Sequence, residues 1–96
     1  MMATTRPNPT RQIRRSDLEK FRQSIESWER QGQAAGRDGD AELAAGYAED
    51  VVDLRAILRL IESSALHEAA GAVDCLDTLV RDQIPQRLYD AVVPGS

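Results

Sequence analysis

The chain offers almost no side chains for thiol, metal or imidazole chemistry. It holds one cysteine, Cys75, and one histidine, His67. A single thiol cannot close an intramolecular disulfide, which fits a reducing compartment. His67-Glu68 lacks the second histidine, four residues on, that a zinc-protease helix carries. A zinc site would need Cys75 plus carboxylates drawn from elsewhere. Aromatic residues are scarce too, with one Phe, one Trp and two Tyr in 96 residues. A β-sandwich core draws on aromatic and β-branched side chains, so that class is disfavoured. No apolar run approaches the roughly 18 residues of a membrane span. The stretch before Ser16 has arginines and no apolar segment, unlike a secretory signal. These absences predict a cytoplasmic protein without a membrane partner. Glycine-rich phosphate loops and nucleophile elbows are missing as well. No catalytic residue, cofactor or metal is therefore expected, and the chain does not read as an enzyme.

What is present favours helix. Alanine (13) and leucine (9) lead the apolar residues, and both are strong helix formers. A chain this short buries only about 60–65% of its unfolded surface, so its core is thin and a partner can complete it. The net charge of −4 hides a division. Residues 1–15 carry Arg6, Arg11, Arg14 and Arg15 and no acid, whereas residues 16–96 hold all 16 acids against 8 Lys and Arg. Pro7 and Pro9 bias the first segment away from helix. Residues 1–15 thus read as a disordered, flexible basic arm on an acidic helical domain, 16–96.

Within the domain, hydrophobic spacing marks the elements. Ser16-Asp17-Leu18-Glu19 has the capping-box pattern, and Leu18, Phe21, Ile25 and Trp28 follow on one stripe. This first helix is expected to end between Gln31 and Ala35, before Gly36-Arg37-Asp38-Gly39. A second helix starts near Asp40, a good N-cap. Leu43, Tyr47, Val51, Leu54, Leu58 and Ile61 form its main face, with Ile57 beside them. Ser63-Ser64 predicts a break. A third helix over Ala65 to Gln83 packs Leu66, Ala69, Val73, Leu76 and Val80, with Ala72, Cys75 and Leu79 widening its buried arc. After Pro85, Arg87 to Val93 reads as a short fourth helix, with Leu88, Tyr89 and Val92 packing back. The fold class is all-α: a small helical bundle of three main helices plus a short C-terminal helix.

Candidate sites are few. Asp38, Asp40 and Glu42 alternate like the start of a calcium loop, but Leu43 stands where that loop needs glycine. His67 reads as a helix-start residue and Cys75 as a small core side chain. Glu49, Asp50 and Asp53 read as a solvated helix flank. The second helix has one feature beyond packing. At 100° per residue, Ala45, Val52, Ala56 and Leu60 fall opposite the main face. Glu49 and Asp53 flank them on one side, Arg55 and Arg59 on the other. A helix at the edge of a bundle needs one apolar face, so a second one awaits another chain. The expected function is protein–protein contact as a regulator, adaptor or inhibitor, through Val52, Ala56, Leu60, Arg55, Arg59, Glu49 and Asp53. The partner is another protein or, in a homodimer, a second copy. The alternatives are a nucleic-acid-binding regulator using Arg6, Arg11, Arg14 and Arg15, or an acidic inhibitor of a nucleic-acid-handling complex.

Overall fold

The computed structural model describes residues 13–93, and they contain five helices and no strand. These are α1 (Arg15–Arg37), α2 (Ala41–Glu62), α3 (Leu66–Asp74), α4 (Thr78–Arg81) and α5 (Gln86–Val92). The all-α bundle expected from the sequence is what the chain forms.

Helices α1 and α2 make an antiparallel hairpin joined by Asp38, Gly39 and Asp40. Its turn closes α1 tightly. The N–H of Gly39 donates to Gly36 O (3.1 Å) and that of Asp40 to Ala35 O (2.9 Å), with Gly39 in the left-handed region at φ 89°. This is a Schellman ending, which satisfies carbonyls the helix itself leaves free. Asp40 then caps α2 as expected, its Oδ1 accepting the Leu43 N–H at 3.1 Å. Helix α2 ends in the same motif. Ser64 N–H donates to Ile61 O (3.0 Å) and Ala65 N–H to Leu60 O (2.8 Å). Here Ser64 takes the left-handed position, at φ 62°.

The core is one cluster that collects Phe21 and Ile25 from α1 and Val51, Leu54, Ile57, Leu58 and Ile61 from α2. The later helices add Ala69, Val73, Val80, Leu88 and Val92, with Ile84 from the α4–α5 connection. Helix α3 packs on α2, and α5 on α1 and α3. The smaller helices therefore cover the hairpin's open end and one of its sides.

Several boundaries differ from expectation. Helix α1 starts at Arg15, and its cap pairs Arg14 with Asp17, not Ser16 with Glu19: Arg14 N–H donates to Asp17 Oδ2 (3.4 Å), and Asp17 N–H to Arg14 O (3.0 Å). Ile13 packs against the core, so the expected arm does not extend to residue 15; residues 1–12 lie outside the described ones. Helix α1 continues past Ala35 to Arg37 because packing against α2 overrides the low helix propensity of Gly32 and Gly36. Leu43, assigned to the main face of α2, is 50% exposed. It sits in the first turn, beyond the reach of α3–α5.

The segment expected as one helix over Ala65 to Gln83 is interrupted at residues 75–77. Arg81 Nη2 donates to Leu76 O (2.9 Å), holding the bend. The change of direction lets Val73 and Val80 both reach the core, and it leaves Cys75 exposed and Leu79 72% exposed. Cys75 is accordingly no core residue. The last helix begins at Gln86, one residue early, with Pro85 as its cap.

Candidate functional site

The side of the hairpin away from α3–α5 is open, and a groove runs along it. On α1 the residues facing it recur at helical spacing: Arg22, Glu26, Glu29, Gln33 and Gly36. On α2 they are Ala44, Ala48, Val52, Arg55 and Arg59. Toward the turn the groove encloses about 440 Å³; toward the other end it narrows to about 250 Å³. Its floor holds Val51 near the turn, and Ile25 and Leu58 further along.

Small residues shape the turn end. A Cβ on Gly32 would stand 2.6 Å from Tyr47 Cβ, so the two helices touch there because glycine has no side chain. At Gly36 the fit is looser, since a Cβ there would make only ordinary contact with Ala44 Cβ, at 3.6 Å. On the opposite edge Trp28 and Tyr47 meet edge-to-face, with centroids 4.9 Å apart. Trp28 Nε1–H donates to Asp50 Oδ2 (3.3 Å), and Tyr47 O–H to Gln31 Oε1 (3.3 Å). These contacts fix the hairpin's register.

Charge crosses the groove in matched levels. Arg55 makes a two-pronged pair with Glu29, at 3.0 and 3.3 Å. One level along, Glu26 and Arg59 line the same groove. At the far end Arg22 pairs with Glu62. Each level therefore has opposite signs on the two helices. Such pairs on open surface contribute about 0–1 kcal/mol each, so they set register more than stability.

The residues singled out from the sequence divide among three settings. Val52 and Arg55 line the groove, and Arg59 lines its continuation. Val52 is 67% exposed. Glu49, Asp53 and Ala56 are exposed on the adjoining outer face of α2. Leu60 is half-buried against the core, because α2's second face narrows where the chain turns into α3. Arg14 and Arg15 are exposed at the start of α1, and Arg6 and Arg11 lie outside the described residues. Sequence reasoning missed Arg22, Glu26, Glu29, Gly32, Gly36, Ala44 and Ala48. The four-residue spacing of Gly32 with Gly36 and of Ala44 with Ala48 was the available signal for close helix approach.

Other sites reduce to structure. Asp40 is occupied in capping α2, and His67 is exposed in the first turn of α3. Among the described residues no three of His, Cys, Asp and Glu converge to hold a metal ion, and no helix is long and apolar enough to cross a membrane. No protein family matches this chain, and neither the curated proteins nor the solved structures contain a significant match to it.

Proposed function

We propose that this protein works by contact with another polypeptide, as a small helical regulator, adaptor or inhibitor, and that the contact surface is the open side and outer face of α2. The observation that carries this reading is Val52. An aliphatic side chain in mid-helix, 67% exposed, stands between an apolar-floored groove and the small exposed face at Ala56. Burying an exposed valine contributes about 1.5 kcal/mol or more, which a partner can recover. Arg55, Arg59, Glu49 and Asp53 ring that anchor with both signs of charge, the usual makeup of an interface rim. The groove has an apolar floor and no convergent catalytic groups, so it suits a helix better than a reacting substrate.

A photo-activated cross-linking residue at position 52 tests this in the cells that express the protein. The expected result is a discrete adduct from position 52 and none from the same probe at the exposed Arg87 position on α5. Absence of any adduct at 52 would remove the reading. In parallel, Val52→Asp is expected to shift stability by no more than about 0.5 kcal/mol, as surface substitutions do, while abolishing the adduct formed through a probe at position 56. Matching thermal melts of the variant and the parent chain check the first half of that statement.

A further inference from the structure

Resting on that contact reading, we propose that the partner is a second copy of this chain, seated on the open side of the hairpin about a two-fold axis that runs parallel to α1 and α2. The argument is the order of charge along the groove. Read from the open end toward the turn, α1 presents Arg22, Glu26 and Glu29, and α2 presents Glu62, Arg59 and Arg55 at the same three levels. A two-fold axis along the groove lays α1 of one protomer across the partner's α2 at equal height. Arg22 then faces the partner's Glu62, Glu26 the partner's Arg59, and Glu29 the partner's Arg55. Every level is complementary, twice over, because the interface is isologous.

The other two-fold arrangement, with the axis crossing the helices, fails this test. It stacks α1 on the partner's α1 in opposite directions. Centred on the three charged levels, it sets Glu26 against the partner's Glu26 and Arg59 against the partner's Arg59, and only the outer levels remain complementary. Like charges in direct opposition cost affinity and select against that packing. The parallel-axis arrangement also runs each α1 antiparallel to the partner's α2, the usual packing of a four-helix bundle. Near the turn, the bare backbone at Gly36 and the short side chains of Ala44 and Ala48 let the partner's helices approach closely. Complementary charge at one end and small residues at the other together specify one register.

Sedimentation of the full chain tests the dimer, and cross-linking tests its geometry. In a Cys75→Ser background, which removes the exposed native thiol, Ala48→Cys and Arg59→Cys are made separately. With the axis parallel to the helices, each position lies at the same height as its own counterpart, diagonally across the groove, so a bismaleimide long enough to span that diagonal is expected to link both variants into dimers. An axis across the helices allows at most one of them to link. Glu26→Arg and Arg59→Glu are each expected to weaken the dimer roughly tenfold, and the double variant to recover most of that loss. Unchanged helical circular dichroism identifies variants that have kept their fold. A chain that sediments as a monomer into the millimolar range overturns the dimer, and so does a dimer in which positions 48 and 59 do not both link. A Val52 adduct containing only a foreign protein likewise sinks the self-partner while leaving the contact surface standing.

Discussion

Three glycines show how differently one residue type is used in this chain. Gly32 is where α1 meets α2, and any Cβ there would lie 2.6 Å from Tyr47 Cβ. That atom is fixed to the α2 backbone, so it cannot swing aside; the helices must separate. Gly32→Ala is expected to destabilise the protein by about 1–3 kcal/mol, the usual cost of overpacking a close contact. Gly46 and Gly71 also lie inside helices, but nothing stands within 4 Å of their Cβ positions. Alanine at either is expected to stabilise by about 0.5–1 kcal/mol through helix propensity alone. Urea unfolding midpoints of the three variants should therefore move in opposite directions. A Gly32→Ala chain as stable as its parent would mean the hairpin is not packed at this point. Gly32 stands between two glutamines and Gly46 and Gly71 in alanine-rich stretches, and neither setting reveals the close contact, because it depends on the register between two helices.

At the scale of elements, the two long helices end in the same hydrogen-bonded motif with different residues at the left-handed position. Gly39 occupies it without strain, whereas Ser64 holds φ 62° against the clash of its Cβ. Ser64→Gly is expected to raise stability by about 0.5–1 kcal/mol, read as a higher thermal midpoint with unchanged helix content. A fall would show that the Ser64 side chain makes a compensating contact. The break at Ser63-Ser64 and the turn at Gly39-Asp40 were legible in the sequence as local signals that act through the backbone, although α1 runs to Arg37 and not, as expected, only to Ala35. The interruption after α3 was not legible. Residues 75–77 contain no glycine or proline, and the bend depends on Arg81 reaching Leu76 O and on Val80 and Ile84 finding the core. The same limit applies to the candidate surface. Periodicity within α2 identified Val52 and Ala56 as outward-facing, but Glu29, Gly32 and Arg22 join the groove only through pairing across the hairpin. Leu60, on the same stripe as Val52, is half-covered because the chain turns back beside it.

At the scale of the whole molecule, the apolar contacts are unevenly spread. Residues 41–50 of α2 include no buried side chain, whereas Val51, Leu54, Ile57, Leu58 and Ile61 are all buried within the next eleven positions. On α1, only Gly32 and Ala35 are buried beyond Trp28. The turn half of the hairpin is thus held by the Gly32–Tyr47 contact, the Trp28–Tyr47 ring pair and exposed hydrogen bonds, and the other half by the shared core. Local opening free energies follow such differences in buried contact. In dilute protein, amides of residues 41–48 are expected to exchange with solvent at least roughly tenfold faster, relative to their intrinsic rates, than those of Leu54 to Ile61. The two sets should also respond differently to low denaturant. The turn half opens by exposing little surface, so its exchange should barely change, while the core amides should accelerate steeply because they exchange through global unfolding. Uniform protection along α2, with one common denaturant dependence, would show that the hairpin opens as a single cooperative unit. Faster exchange confined to the turn half would place the small-residue end of the proposed contact surface, at Gly36, Ala44 and Ala48, on the least stable part of the fold, where covering by a partner changes local order most.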